Sequence, residues 1–78
     1  MENKLPKHYI LKAYNPKNVD ADENGCYNLF FMDIENGEKI CSFNIQNAKK
    51  YNKIGEAMAE AGHINQEGKI KFRVIPIY

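Results

Sequence analysis

The chain has 78 residues, a net charge of +1 and 27% charged side chains, which is too little polypeptide for a roomy internal substrate cavity, since a domain of about 60 residues buries only about 60% of its unfolded surface. No run nears the ~18 apolar residues of a membrane span, and the opening Met-Glu-Asn-Lys-Leu-Pro-Lys lacks the apolar stretch of a secretory signal, so a cytoplasmic protein forming a single domain over 1–78 is expected. The near-neutral total hides a sorted distribution, with Lys4, Lys7, Lys12 and Lys17 early, Asp20, Asp22, Glu23, Asp33, Glu35 and Glu38 in the middle, and most remaining cations after Lys39.

The first strand is expected at His8 to Tyr14, with Tyr9, Leu11 and Ala13 on one side and Lys12 on the other. Asn15-Pro16 ends it, because proline supplies no ladder donor and asparagine before proline favours a turn. Residues 15–25 then read as an acidic, turn-rich loop. Within it, Asp20-Ala21-Asp22-Glu23-Asn24-Gly25 matches the first half of a helix-loop-helix calcium site, with oxygen ligands at Asp20, Asp22 and Asn24. The second half fails, because the position that requires a bidentate glutamate is Phe31 and the flanks read as strands. Calcium is therefore only a weak alternative, and no cofactor is expected.

Asn36-Gly37 lies between two runs of alternating apolar residues and marks a β-hairpin turn over 35–38. Counting outward pairs Glu35 with Glu38, Asp33 with Ile40, Met32 with Cys41 and Phe30 with Phe43. One hairpin face collects Phe30, Met32, Ile34, Cys41, Phe43 and Ile45, which reads as the core face. The other collects Tyr27, Leu29, Phe31 and Ile40 beside Asp33, a mixture too apolar for simple solvent exposure and too polar for simple core. In this register Cys26 and Cys41 lie too far apart for a disulfide, whose Cα atoms must approach within about 7 Å. Two reduced thiols are expected. With His8 and His63 they show no paired spacing of a zinc site.

A helix is expected from Asn47 or Asn52 to Ala61, with Tyr51, Ile54, Met58 and Ala61 on its apolar face and Gly62 as its stop. Lys49, Lys50 and Lys53 would oppose the macrodipole of a helix beginning at Asn47, so a start nearer Asn52 is favoured. The last strand, Lys69 to Tyr78, alternates Lys69, Lys71 and Arg73 with Ile70, Phe72 and Val74, and Pro76 suits an edge. The order β-β-β-α-β gives an α+β domain: a curved, mainly antiparallel sheet with one helix, or a partly open OB-like or SH3-like barrel.

No phosphate loop, nucleophile elbow or paired carboxylates in a catalytic context occur, so a non-enzymatic binding module is expected. The favoured reading is a protein partner anchored by Tyr27, Leu29 and Phe31 beside Ile40, with Asp33 and nearby acids setting orientation against a basic partner surface. The alternative is single-stranded nucleic acid held by aromatic rings and by Lys12, Lys69, Lys71 and Arg73. Homodimerisation through a sheet edge or the hairpin face is a third possibility. Heavy use of lysine, asparagine and isoleucine suits an AT-rich bacterial genome or its phages and mobile elements, where small inhibitors and accessory factors of this size occur.

Overall fold

Apolar-polar alternation builds four strands, β1 (His8–Tyr14), β2 (Cys26–Glu35), β3 (Glu38–Ser42) and β4 (Lys71–Ile77), with the helix α1 (Ile54–Asn65) between β3 and β4. The computed structural model describes residues 4–66 and 70–78. The strands form one antiparallel sheet in the order β3-β2-β1-β4. This is the expected α+β fold with β-β-β-α-β order. The sheet is open, with β3 and β4 as its edges, so the barrel alternative does not apply.

The β2-β3 turn forms as the Asn-Gly pair requires: Asn36 has φ +52° and Gly37 φ +79°. From the turn, Glu35 pairs with Glu38, Ile34 with Lys39 and Asp33 with Ile40. Beyond Asp33 the register shifts. Phe31 pairs with Cys41 and Phe30 with Ser42, which leaves Met32 as the extra residue of a β-bulge. The uninterrupted count through Met32 is therefore off by one, and the face assignments derived from it change.

One sheet face packs against α1. Leu11, Ala13, Phe31 and Phe72 meet Tyr51, Ala57, Ala61 and Ile64 there, with Tyr9, Tyr27, Leu29, Cys41 and Val74 at the margin. Phe31 is 0% exposed, and its ring meets Phe72 edge-on at 6.0 Å, the geometry aromatic quadrupoles prefer. The opposite face carries a second, smaller core of Ile10, Phe30 and Ala48, flanked by Ile75 and Ile77. The chain passes between these faces through a gap in the sheet. After a short 3-10 turn at Ile45–Asn47, the Lys49 N–H donates to the Phe31 carbonyl, and Tyr51 exchanges two backbone hydrogen bonds with Tyr9. Ala48 is thus buried on one side and Tyr51 on the other.

The helix starts at Ile54 with Lys53 at its N-cap, so Lys49 and Lys50 precede it, and Glu56 in its first turn agrees with its dipole. It continues through Gly62 to Asn65, beyond the expected end at Ala61. Its buried stripe is Ala57, Ala61 and Ile64, where two alanines let the helix approach the sheet closely. Ile54 and Met58, expected on that stripe, are exposed.

Candidate functional site

The anchors expected from the sequence do not form a free surface. Phe31 is enclosed beneath α1, while Tyr27 and Leu29 are half-buried at the margin of the same core. Ile40 is half-buried on the edge strand β3 and Asp33 is exposed near the hairpin tip, where its carboxylate accepts from the Ile34 N–H at 2.8 Å. The physical reason is the single helix. It covers one of two apolar sheet faces, and the covered one carries Phe31. A residue without accessible surface cannot anchor a partner, so Phe31 is removed from the expected anchors.

The helix-free face presents the apolar surface instead. Phe43 is 81% exposed and Ile45 49%, although both were expected in the core. Their position follows from the turn that leads off β3. Ser42 Oγ accepts from the Asn44 N–H at 3.0 Å and from Asn47 Nδ2 at 3.1 Å, and Asn44 Oδ1 accepts from the Gln46 N–H at 2.9 Å. These short polar side chains tie the backbone to itself and hold the 3-10 turn over the sheet. Two shallow depressions meet at Ile45. One, of about 440 Å³, is lined by His8, Ile10, Ile45, Gln46, Lys50 and Ile77; the other, of about 410 Å³, by Lys12, Asn28, Phe30, Phe43, Asn44 and Ile45. An apolar floor and a polar rim are the anatomy of a protein interface.

The cations proposed for nucleic acid are partly brought together. Lys12 and Arg73 are paired across β1 and β4. Lys12 Nζ lies 5.8 Å from the centroid of Phe30, and the Arg73 guanidinium lies 3.8 Å over Tyr14, so both sit on aromatic rings of their own sheet. Lys71 donates to the Asn65 carbonyl at the end of α1. Lys69 lies outside the described residues. Phe30 is only 3% exposed. Of the rings beside these cations, Phe30 is covered by burial and Tyr14 by arginine, while Phe43 is exposed in the depression that Lys12 also lines.

The acidic loop is a run of side-chain-closed turns. Asn15 Oδ1 accepts from the Lys17 N–H, Asn18 Oδ1 from that of Asp20, and Asp22 Oδ1 from those of Asn24 at 2.8 Å and Cys26 at 3.0 Å. The hydrogen bonds from Cys26 and Asn24 hold the Asp22 carboxyl below its ordinary pKa. Asp22, a ligand in the weak calcium alternative, is thus occupied in closing the turn that leads into β2. Among the described residues, no three His, Cys, Asp or Glu side chains are grouped as a metal site. Cys26 and Cys41 are free thiols. Burial pushes the Cys41 thiol upward, away from the thiolate a nucleophile needs.

Among the described residues no helix is long and apolar enough to cross a membrane. Comparison with protein-family models, with curated proteins and with solved structures finds no match to the chain.

Proposed function

We propose that this protein is a non-enzymatic docking module that binds a protein partner through the helix-free face of its sheet, with Phe43 and Ile45 as anchors. The observation that carries the reading is Phe43, a large aromatic side chain 81% exposed beside depressions lined by Ile10, Ile45 and Ile77. Truncating an interfacial aromatic anchor typically costs about 2 kcal/mol or more of binding free energy, whereas an exposed side chain contributes little to folding. A module of this size acts by covering a surface of its partner or by recruiting it, as a small inhibitor or accessory factor does.

Capture of a partner from the source cell, compared between the native chain and a Phe43→Ala/Ile45→Ala variant, tests the reading. Loss of a specifically captured protein by a variant with native circular dichroism supports it. Retained capture by the folded variant removes it. The nucleic-acid alternative is measured in parallel with labelled single-stranded DNA at low salt. Binding lost on reversal of Lys12 and Arg73 would favour that alternative, since phosphate contacts depend on those charges.

A further inference from the structure

We infer that the occupant of the helix-free face is an acidic segment of a protein partner carrying one large apolar side chain. This inference rests on the docking reading above and adds the chemistry of the partner. It reverses the charge expected from the sequence, where Asp33 pointed to a basic partner.

The charge distribution carries the argument. The linings of the two depressions include Lys12 in one and Lys50 with His8 in the other, together with Asn28, Asn44 and Gln46, and among the described residues neither includes a carboxylate. Arg73 stands directly across from Lys12. Most described acids lie elsewhere: Asp33, Glu35 and Glu38 lie at the end of the hairpin, Glu56 and Glu60 lie on α1, and Asp20, Asp22 and Glu23 lie in the loop before β2. Of that loop, Asp22 is near enough to Lys12 to feel its charge, and its Oδ1 is engaged by two backbone N–H groups. An apolar floor at Ile10, Ile45 and Ile77 accepts a side chain, while cations at Lys12 and Lys50 stand on either side of Ile45. Complementary charge around such a floor raises the encounter rate and rejects partners of the wrong sign.

Two described stretches of this chain share that chemistry. The hairpin end presents exposed Ile34 between Asp33 and Glu35, and the loop before β2 presents exposed Val19 beside Asp20, so a second copy is the competing occupant. It would make a head-to-tail contact that does not close on itself. The foreign segment is favoured because Ile34 is only 39% exposed and shares a depression with His63 and Ile64 of the helix, and because the short side chain of Val19 would fill little of a depression of about 440 Å³.

The isotope-labelled full chain, titrated with short synthetic peptides and followed by amide chemical shifts, decides the matter. The probes are a Glu/Asp-rich peptide with one central phenylalanine, the same peptide with alanine for phenylalanine, the same peptide with lysine for every acid, and oligothymidylate. The expected result is a perturbation of the Lys12, Ile45 and Lys50 amides by the first peptide alone, weakened by salt and lowered about tenfold by Lys12→Glu/Lys50→Glu. Lys50→Glu alone, at an exposed side chain, keeps the test valid if the double variant fails to fold. Equal or tighter binding of the lysine peptide or of oligothymidylate overturns the inference, as does no perturbation at about 1 mM acidic peptide. Sedimentation showing self-association abolished by Glu35→Lys/Glu38→Lys overturns it in favour of a second copy. Partner capture lost with Phe43→Ala/Ile45→Ala but unchanged by the charge reversals leaves the docking reading standing and removes the acidic occupant.

Discussion

The side chain of Asn65 exchanges two hydrogen bonds with the backbone of Phe72: its Nδ2 donates to the Phe72 carbonyl at 3.0 Å, and the Phe72 N–H donates to its Oδ1 at 2.8 Å. Phe72 lies on the edge strand β4, opposite Ala13 of β1. The amide of Asn65 therefore stands where a further strand would pair, satisfying backbone groups at an otherwise open edge. Lys71 adds a hydrogen bond to the Asn65 carbonyl, closing the last turn of α1 with a cation that suits the helix dipole.

Replacing Asn65 with alanine leaves both half-buried backbone groups of Phe72 without this partner and should cost about 1 to 3 kcal/mol of stability. Urea denaturation of Asn65→Ala against the native chain measures the loss. The Phe72 amide should also exchange its hydrogen faster under native conditions, locating the effect at the edge. Unchanged exchange at Phe72 would count against the bond as a structural tie.

Among the described glycines, Gly25 and Gly37 are required by their left-handed backbone, whereas Gly55 and Gly62 are not. Gly25 has φ +83°, and a Cβ there would lie 2.6 Å from Cε2 of Tyr14, the ring that also carries Arg73. Gly25→Ala should cost about 1 to 3 kcal/mol, combining left-handed strain with the clash. Gly55 and Gly62 lie inside α1, where a Cβ meets nothing within 4 Å. Alanine at either should stabilise by about 0.5 to 1 kcal/mol through helix propensity. Thermal unfolding distinguishes the cases, and Gly62 is the informative one. A helix-stopping glycine in the left-handed region would lose stability on the same change.

That glycine shows where the sequence spoke and where it did not. Strand β1, the Asn36-Gly37 turn and the alternation of Phe72 and Val74 are local signals, and each appears in the fold as expected. The end of α1 was not legible, because Gly62 looks like a stop while the actual closure depends on Asn65 at the helix end meeting Lys71 and Phe72 at the start of β4. The bulge at Met32 was not legible either. Nothing in the identity of a methionine marks an unpaired residue, yet it moves Cys41 from Phe30's side to Phe31's. Both sheet faces are apolar, so alternation alone could not tell which one the single helix would cover. The decisive feature is the passage of Ala48 to Tyr51 between the strands, a long-range pairing with Phe31 and Tyr9 that has no local signature. The exposure of Phe43 and Ile45 was not legible for the same reason: they continue the hairpin's alternation, but the polar bonds of Ser42 and Asn44 turn the chain out of the ladder.

Two phenylalanines on opposite sides of the sheet should respond in opposite ways. Phe31→Ala removes a fully buried ring and its edge contact with Phe72, at a cost of about 3 to 5 kcal/mol, comparable with the whole stability of about 5 kcal/mol expected of so small a domain. The variant should be largely unfolded by circular dichroism at 25 °C. Phe43→Ala should remain folded, with a change within about 0.5 kcal/mol. A stable, native-like Phe31→Ala protein would contradict the assignment of this side chain to the main core.

Tyr51 should give the domain a specific alkaline limit. Its hydroxyl donates to Glu60 Oε1 at 3.4 Å, and Lys49 Nζ lies 3.2 Å from the same oxygen and 5.3 Å from the Tyr51 ring. Burial, then the charge of Glu60 and the hydrogen bond to it, push the phenol above its ordinary pKa, which is about 10. The folded state thus holds this proton more tightly than the unfolded chain. The linked stability is intact below the ordinary tyrosine range and is lost as the pH rises above it. Tyr51→Phe removes the titrating group and keeps the ring. Urea unfolding at a series of alkaline pH values should show the native chain losing stability more steeply than the phenylalanine variant, all other tyrosines and lysines being common to both. Parallel profiles would mean that Tyr51 is not the source of the alkaline limit, and that Glu60 does not hold the phenol protonated in the folded state.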